Sequence, residues 1–108
     1  MARAKFQTLT EQMFYVLLCL RRECCGTDVM ERVRQLTRER VTVGPGTLYS
    51  LLDSFLQAGM IRETKVEGRK RSYIITEEGR RALEEEYQRL RILTADYESC
   101  AGEEGTLP

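Results

Sequence analysis

Three hydroxyl-bearing side chains, Thr47, Tyr49 and Ser50, crowd the start of one predicted helix. They follow a turn-like Gly44–Gly46 segment whose central proline suits a first helical turn, because its missing N–H would have no partner there. The two glycines let the backbone approach another molecule closely. Short hydroxyls beside the free N–H groups of a helix start are good hydrogen-bond partners for phosphates and base edges. The alternative is an ordinary exposed helix face.

A second cluster carries positive charge. Arg69, Lys70 and Arg71 follow Gly68 directly, and Lys65 lies just before it in the sequence. Consecutive cations beside a glycine turn are suited to contacting phosphates. The alternative is a set of solvated hairpin charges that protect a strand edge from aggregation.

Other kinds of chemistry find little support in the sequence. The chain has no histidine, the commonest metal ligand and the commonest general base near neutral pH. Its cysteines lack the spacing of a disulfide framework, and a cysteine-only zinc site would need all four: Cys19, Cys24, Cys25 and Cys100. We expect free thiols, no metal and no cofactor, and leave open a redox switch at Cys24 and Cys25. Since the sequence shows no phosphate loop, nucleophile elbow or carboxylate pair, we expect no enzyme.

Length and charge set further bounds. The 108 residues predict one domain, and 42% hydrophobic and 31% charged residues are typical of a globular protein. The longest apolar run, Met13–Leu20, is shorter than the roughly 18 residues of a membrane span and lacks a signal-peptide cleavage site, so we expect a cytoplasmic protein. Residues 1–75 carry 13 basic and 8 acidic side chains, a net +5, whereas residues 76–108 carry 4 and 9, a net −5. This asymmetry indicates a basic binding surface in the first part.

Periodicity and capping signals predict two helices in the first part of the chain. The first spans about Thr8–Arg21, begins with a capping box formed by Thr8 and Glu11, and is apolar almost all round. The second is capped by Thr27 or Asp28.

A short β-prone segment, Val41–Val43, precedes the helix that carries the hydroxyls. This third helix ends at Gly59. Its apolar residues predict a stripe facing the core, formed by Leu48, Leu51, Leu52, Phe55 and Leu56, with Tyr49, Ser50 and Asp53 off the stripe. Met60–Val66 and Arg69–Ile75 then predict a hairpin with its two-residue turn at Glu67-Gly68.

A long fourth helix follows the capping residue Thr76. It carries a narrow apolar seam of the kind used between paired helices: Leu83, Tyr87, Leu90, Thr94 and Tyr97. Because the first helix has more apolar surface than a small core can cover, we predict a dimer interface containing Met13, Phe14, Leu17, Leu83, Tyr87, Leu90 and Tyr97. The seam could instead pack within one chain.

These elements predict a mainly α fold with a small β-hairpin, a winged helix-turn-helix followed by a long C-terminal dimerisation helix. We divide it into a DNA-binding domain (1–75), a dimerisation helix (76–98) and a disordered tail (99–108). A recognition helix enters the major groove by its N-terminal residues, and the wing adds phosphate contacts. The predicted DNA-binding residues are Lys5, Gly46, Thr47, Tyr49, Ser50, Gly68, Arg69, Lys70 and Arg71.

The sequence also resembles a known family. "GPGTLYSLLDSFLQAGMI" and "EGRKRSYIITEEGRRAL", with "LTEQMFYVLLCL" and "DVMERVRQLT" before them, resemble the PadR family of bacterial winged-helix transcriptional regulators, in its small subclass with one C-terminal helix. The chain departs from the family pattern at Ser50, usually a proline, and at Cys25–Thr27, usually His-Gly-Tyr. The resemblance implies a homodimer in which the C-terminal helix packs on the partner's N-terminal helix. It also implies repression of nearby genes, often relieved by a small aromatic or hydrophobic compound.

We therefore expect a sequence-specific DNA-binding regulator, a ligand-responsive repressor that acts as a homodimer on a palindromic operator. Two alternatives stay open. One is a protein that sequesters a small molecule in an aromatic-lined dimer cavity. The other is a winged helix that binds proteins rather than DNA.

Overall fold

The computed structural model describes residues 8–102, and within that range it contains four helices and three strands. In chain order the elements are α1 (Glu11–Cys19), β1 (Cys24–Cys25), α2 (Gly26–Leu36), α3 (Pro45–Gln57), β2 (Ile61–Glu67), β3 (Lys70–Ile75) and α4 (Glu77–Ala101). The strands form one antiparallel sheet in the order β1-β3-β2. The predicted mainly α winged helix with a long C-terminal helix is confirmed. Lys5 lies outside the described residues.

The first two helices begin at other residues than predicted. Thr10, not Thr8, caps α1: its hydroxyl accepts the N–H of Met13 at 3.2 Å, and its own N–H donates to the Met13 sulfur at 3.4 Å. The predicted capping box of Thr8 and Glu11 is therefore wrong. The predicted cap of α2 at Thr27 or Asp28 is also wrong, because α2 begins directly after the strand residue Cys25.

The connection from α2 to α3 is held by a buried threonine. The N–H of Val41 donates to the Thr37 hydroxyl at 3.0 Å, and that hydroxyl donates to the Val33 carbonyl at 2.9 Å. The predicted β-prone segment Val41–Val43 is not a strand. It is part of a loop, and the Val41 and Val43 side chains of this loop are buried in the core. This arrangement fixes where α3 begins.

The wing is the β2–β3 hairpin, and its turn lies one residue later than predicted. Glu67 pairs with Lys70, so the two turn residues are Gly68 and Arg69 rather than Glu67 and Gly68. Gly68 has a φ of +64°, a conformation that favours glycine. Strand β1, which the sequence analysis did not predict, pairs with β3 and ties the start of α2 to the wing.

The core lies between α1, α2, α3 and the sheet. Its fully buried side chains include Leu17, Leu48, Leu52, Phe55 and Met60. The α3 stripe is narrower than predicted, because Leu51 is half-buried and Leu56 is 37% exposed. Met13, Leu17 and Leu83, which we predicted in a dimer interface, belong to the core of their own chain, so that part of the prediction is wrong. Because these side chains are buried within one chain, they leave little surface for a partner chain.

Helix α4 packs on the rest of the chain only along its first turns. Its buried residues there are Gly79, Ala82, Leu83 and Glu86. Every residue from 91 to 102 is exposed, and the helix continues past the predicted end at residue 98 to Ala101. Residues 103–108 of the predicted tail lie outside the described residues. No helix in the described part of the chain is long and apolar enough to cross a membrane.

Candidate nucleic-acid interface

The start of α3 is open to solvent. Gly44 is its N-cap residue, and no side chain caps the helix, so the backbone N–H groups of its first turn point outward without a side-chain partner. Gly46, Thr47 and Ser50 are exposed on this turn, and a Cβ placed on Gly46 would meet no atom within 4 Å. The helix therefore offers a close-approach surface with donors and two hydroxyls, as the sequence predicted.

Tyr49 lies beside this surface but is not free on all sides. Its side chain is 47% exposed, and the covered part of the phenol lies against Gly26 at the start of α2. A Cβ built on Gly26 would come within 2.8 Å of the Tyr49 hydroxyl oxygen. The phenol therefore sits over the N-terminus of a second helix.

A cleft of about 300 Å³ joins α2, α3 and the wing at this point. It is lined by Cys25, Gly26, Thr27, Tyr49, Arg69, Lys70 and Arg71. Four of the residues predicted to bind DNA, Tyr49 and the three cations, thus meet around one cavity. Gly46, Thr47 and Ser50 lie on α3 outside its lining, and Gly68 lies in the turn.

Cys25, Gly26 and Thr27 at the start of α2 also line the cleft, although the sequence did not predict a site there. The signal that could have found them is a glycine directly after two β-prone cysteines, at a strand-to-helix junction. The Cys25 thiol and the Thr27 hydroxyl lie 3.4 Å apart, and no side chain caps α2. Its N–H groups and the positive end of its dipole therefore face the cleft.

The three cations around the cleft differ in whether they form an ion pair. Arg71 forms an ion pair with Glu63 at 3.3 Å, in which both side chains are partly exposed. Within residues 8–102, Arg69 and Lys70 make no ion pair. An uncapped helix start facing two unpaired cations favours an anion. The arrangement suits a phosphate group of a nucleic-acid backbone.

Burial keeps one phenol and two thiols of the fold neutral. Burial raises the pKa of the Tyr73 phenol, and the nearby Glu63 carboxylate adds to that rise. Burial likewise raises the pKa of the Cys19 and Cys24 thiols, which keeps them protonated and poorly nucleophilic. Within the described residues no group of three metal-ligating side chains could hold a metal ion.

Helix α1 holds the loop that leads into α3. The Arg40 guanidinium contacts the Glu11 carboxylate at 2.5 Å and donates to the Tyr15 hydroxyl at 2.9 Å. The Gln12 amide donates to the Thr42 carbonyl at 3.1 Å. These contacts connect one face of α1 to Arg40 and Thr42 in the loop that precedes α3.

An adjacent face of α1, which carries Phe14, meets α4. Glu86 is only 4% exposed; its carboxylate accepts the N–H of Leu9 at 3.3 Å and pairs with the Arg89 guanidinium. The hydrogen bond from Arg89 holds the pKa of Glu86 below its usual range. Phe14 borders a cleft on each side of this contact, one of about 350 Å³ with Leu90 and one of about 310 Å³ with Tyr87.

The apolar face of α4 continues beyond this contact, and no element within residues 8–102 covers it. Leu83, Glu86, Leu90, Leu93 and Tyr97 follow one another at three- and four-residue spacing and so share one face of the helix. The first two are buried, Leu90 is half-buried, and Leu93 and Tyr97 are 49% and 73% exposed. The part of the predicted interface that remains available therefore consists of Phe14, Tyr87, Leu90 and Tyr97, with Leu93 added by the structure.

A family model described as "Transcriptional regulator PadR-like family" matches residues 16–85. Among solved structures, a transcriptional regulator from Clostridium thermocellum is similar with a TM-score of 0.70 and 20% identity, over 82% of this chain and 90% of that chain. A PadR family transcriptional regulator from Eggerthella lenta has a TM-score of 0.70 and 22% identity, over 83% of this chain and 80% of that chain. RosR from H. salinarum has a TM-score of 0.65 and 21% identity, over 87% of this chain and 96% of that chain. A comparison with curated proteins found no match.

Proposed function

The chain belongs to the PadR-like family of transcriptional regulators, and from this premise we propose that it is a ligand-responsive repressor that binds a palindromic operator as a homodimer. Its family makes it a DNA-binding regulator. The observation that carries the proposal is the meeting of the uncapped start of α2, Tyr49 of α3 and the wing cations around one cleft.

In the proposed complex the start of α3 lies in the major groove. Thr47 and Ser50 contact base edges or phosphates from its exposed first turns, and Gly46 allows the backbone to come close. A phosphate of the adjacent backbone lies at the cleft, between the N–H groups of α2 and the cations Arg69 and Lys70. The phosphate contacts supply affinity, and the α3 contacts supply sequence preference.

Dimerisation through α4 accounts for the uncovered half of that helix. Leu93 and Tyr97 continue a face that is buried nearer the core, and a second copy would cover both. Burying a leucine side chain fully is worth about 1.5–3 kcal/mol, so a pair of symmetric stripes offers a substantial association energy. Two winged helices related by a two-fold axis suit two half-sites of a palindrome.

The oligomeric state is tested by Leu93→Lys with Ile92→Lys as the matched control. Leu93 is 49% exposed, in a part of α4 where every described residue is exposed, so lysine there should leave the folded monomer intact but place a charge in the proposed interface. Ile92 is 61% exposed and lies off the apolar face of α4, about 100° round the helix from Leu93. Sedimentation analysis at micromolar concentration should give monomers for Leu93→Lys and dimers for Ile92→Lys. A dimeric Leu93→Lys protein would place the interface elsewhere.

A ligand response is proposed on the clefts that flank Phe14. They lie between α1 and α4, are bordered by Leu90 and Tyr87, and are wide enough for a small aromatic compound. Helix α1 also holds the loop before α3 through Arg40. An occupant that shifts α1 would therefore shift the recognition helix, which gives a route from ligand to DNA affinity.

DNA binding itself is tested by titrating a labelled duplex from upstream of the gene, and a random duplex of equal length, at two salt concentrations. We expect tighter binding to the upstream duplex, and affinity for both should fall steeply with salt, because bound phosphates release counterions. Absence of binding to either duplex would contradict the proposal and favour a winged helix that binds proteins.

A further inference from the structure

We infer that Gly26 is a positioning residue for DNA binding: by lacking a side chain it lets the Tyr49 phenol lie over the start of α2, between that helix and the wing. The inference rests on the proposed function, since it concerns how Tyr49 reaches DNA. In the proposed complex Gly26 itself contacts no DNA group and acts through Tyr49.

With the Tyr49 phenol in place, the structure leaves no room for a side chain at Gly26. A Cβ placed there would lie 2.8 Å from the Tyr49 hydroxyl oxygen, closer than a Cβ normally comes to another atom, and 3.1 Å from two of its ring carbons, which is also a tight contact. At Gly44 and Gly46, the glycines at the start of α3, a Cβ would meet no atom within 4 Å. Among the glycines at the starts of α2 and α3, only Gly26 therefore has another side chain this close.

Backbone conformation does not explain a glycine at this position. Among the described glycines only Gly59 and Gly68 have a positive φ, so Gly26 has a backbone that any L-residue adopts. It is the first residue of α2, where glycine is a poorer helix former than alanine. The remaining reason for glycine is the room it leaves for Tyr49.

The direction of the Tyr49 side chain decides whether its phenol lies in the cleft. The phenol lines the cleft together with Arg69 and Lys70, and it makes a minor contribution to the raised pKa of the Tyr73 phenol. A methyl group on residue 26 would meet the far end of a flexible side chain, which can turn away without disturbing the backbone. Gly26→Ala should therefore redirect the phenol out of the cleft and leave the fold intact.

The test is a double-mutant cycle on affinity for the upstream duplex: wild type, Gly26→Ala, Tyr49→Ala and the double variant. Gly102→Ala is the matched control, because a Cβ there has no neighbour closer than 3.9 Å. Gly26→Ala alone should weaken binding about 3- to 10-fold, the range of one lost hydrogen bond. In the Tyr49→Ala background it should have less than about a twofold effect, because the side chain that clashes is gone.

An equal loss in both backgrounds would overturn the inference, since the new methyl group would then obstruct DNA directly. No loss from Gly26→Ala in the wild-type background would overturn it too. If Gly26→Ala does not fold, recovery of the fold on adding Tyr49→Ala supports the clash, and failure of both variants to fold refutes it.

A measurement without DNA separates this inference from the proposed function. With tyrosine rings labelled for NMR, Gly26→Ala should move the Tyr49 ring resonances, and Gly102→Ala should not. Unmoved Tyr49 resonances would refute the positioning role even if the protein binds DNA. A wild-type protein that binds no DNA would refute the proposed function, while the ring resonances would still report on the contact.

Discussion

The salt dependence of DNA binding is the measurement on which the wing can be judged most sharply. Arg69 and Lys70 are the cleft cations without an ion pair in the described part of the chain, whereas Arg71 already pairs with Glu63. We therefore expect Arg69→Ala combined with Lys70→Ala to remove two full phosphate contacts. Arg71→Ala should remove less than one, because its guanidinium would have to leave a carboxylate.

The expected size follows from counterion release. Each phosphate contact contributes about −0.9 to the slope of log K against log salt, so the double variant should have a slope shallower by about 1.8. Over a fourfold rise in salt, from about 50 to about 200 mM, the wild type should lose about tenfold more affinity than the variant. The loss should be the same on the upstream and random duplexes, because phosphates carry no sequence information.

Fluorescence anisotropy on labelled duplexes at four or more salt concentrations measures this slope. Arg34→Ala combined with Arg81→Ala is the matched control, since it removes the same charge from two ion-paired side chains outside the cleft. A change in slope equal to that of the control would mean that only net charge matters. An unchanged slope in Arg69→Ala with Lys70→Ala would refute the wing's role.

Three further outcomes are expected. Leu52→Ala opens a cavity at a side chain that is 1% exposed, so it should lower the free energy of unfolding by about 2–5 kcal/mol in thermal melts. Tyr49→Ala should lower it by about 1 kcal/mol or less and yet weaken operator binding. Comparable destabilisation by both variants would mean that α3 is oriented wrongly. The folded-state pKa of Glu86 is lowered by Arg89, so its contribution to stability is present above the unfolded pKa of about 4.3 and is lost as pH falls through the lower folded value. Between about pH 5 and about pH 3 the wild-type melting temperature should therefore fall more than that of Glu86→Gln, and parallel curves would contradict this. Of the four cysteines only Cys100 is exposed, so a thiol reagent should modify one group quickly in the native protein, and two or more fast groups would contradict the burial of the others.

Local signals made the recognition helix predictable. Pro45 starts α3, Gly59 follows its end with a positive φ, and the apolar spacing between them places Tyr49 and Ser50 on the outer face. The run of cations beside Gly68 likewise predicted where the wing is charged. Each of these signals depends on residues that are neighbours in the sequence.

Contacts between distant segments were not predictable in the same way. Strand β1 has two residues and exists because Cys24 and Cys25 pair with β3, far along the chain. The place of Gly26 in the candidate site depends on the same fold. Apolar periodicity also cannot tell whether a side chain packs within one chain or between two, which is why Met13, Leu17 and Leu83 were assigned to the wrong surface.

The contact between the start of α4 and the segment before β2 affects how the proposed dimer fits an operator. A Cβ on Gly79 would lie 2.1 Å from the Met60 carbonyl oxygen, so the helix is seated directly on the segment between α3 and β2. The part of α4 from Gly79 to Ala101 extends about 33 Å beyond that contact. A tilt of about 5° at the seat displaces the far end by about 3 Å, close to the 3.4 Å rise of one base pair. In the proposed dimer, joined at the far ends, the angle at Gly79 would set the distance between the half-sites. A larger residue there would have to displace the Met60 backbone, and it should change which operators fit without altering any side chain proposed to contact DNA.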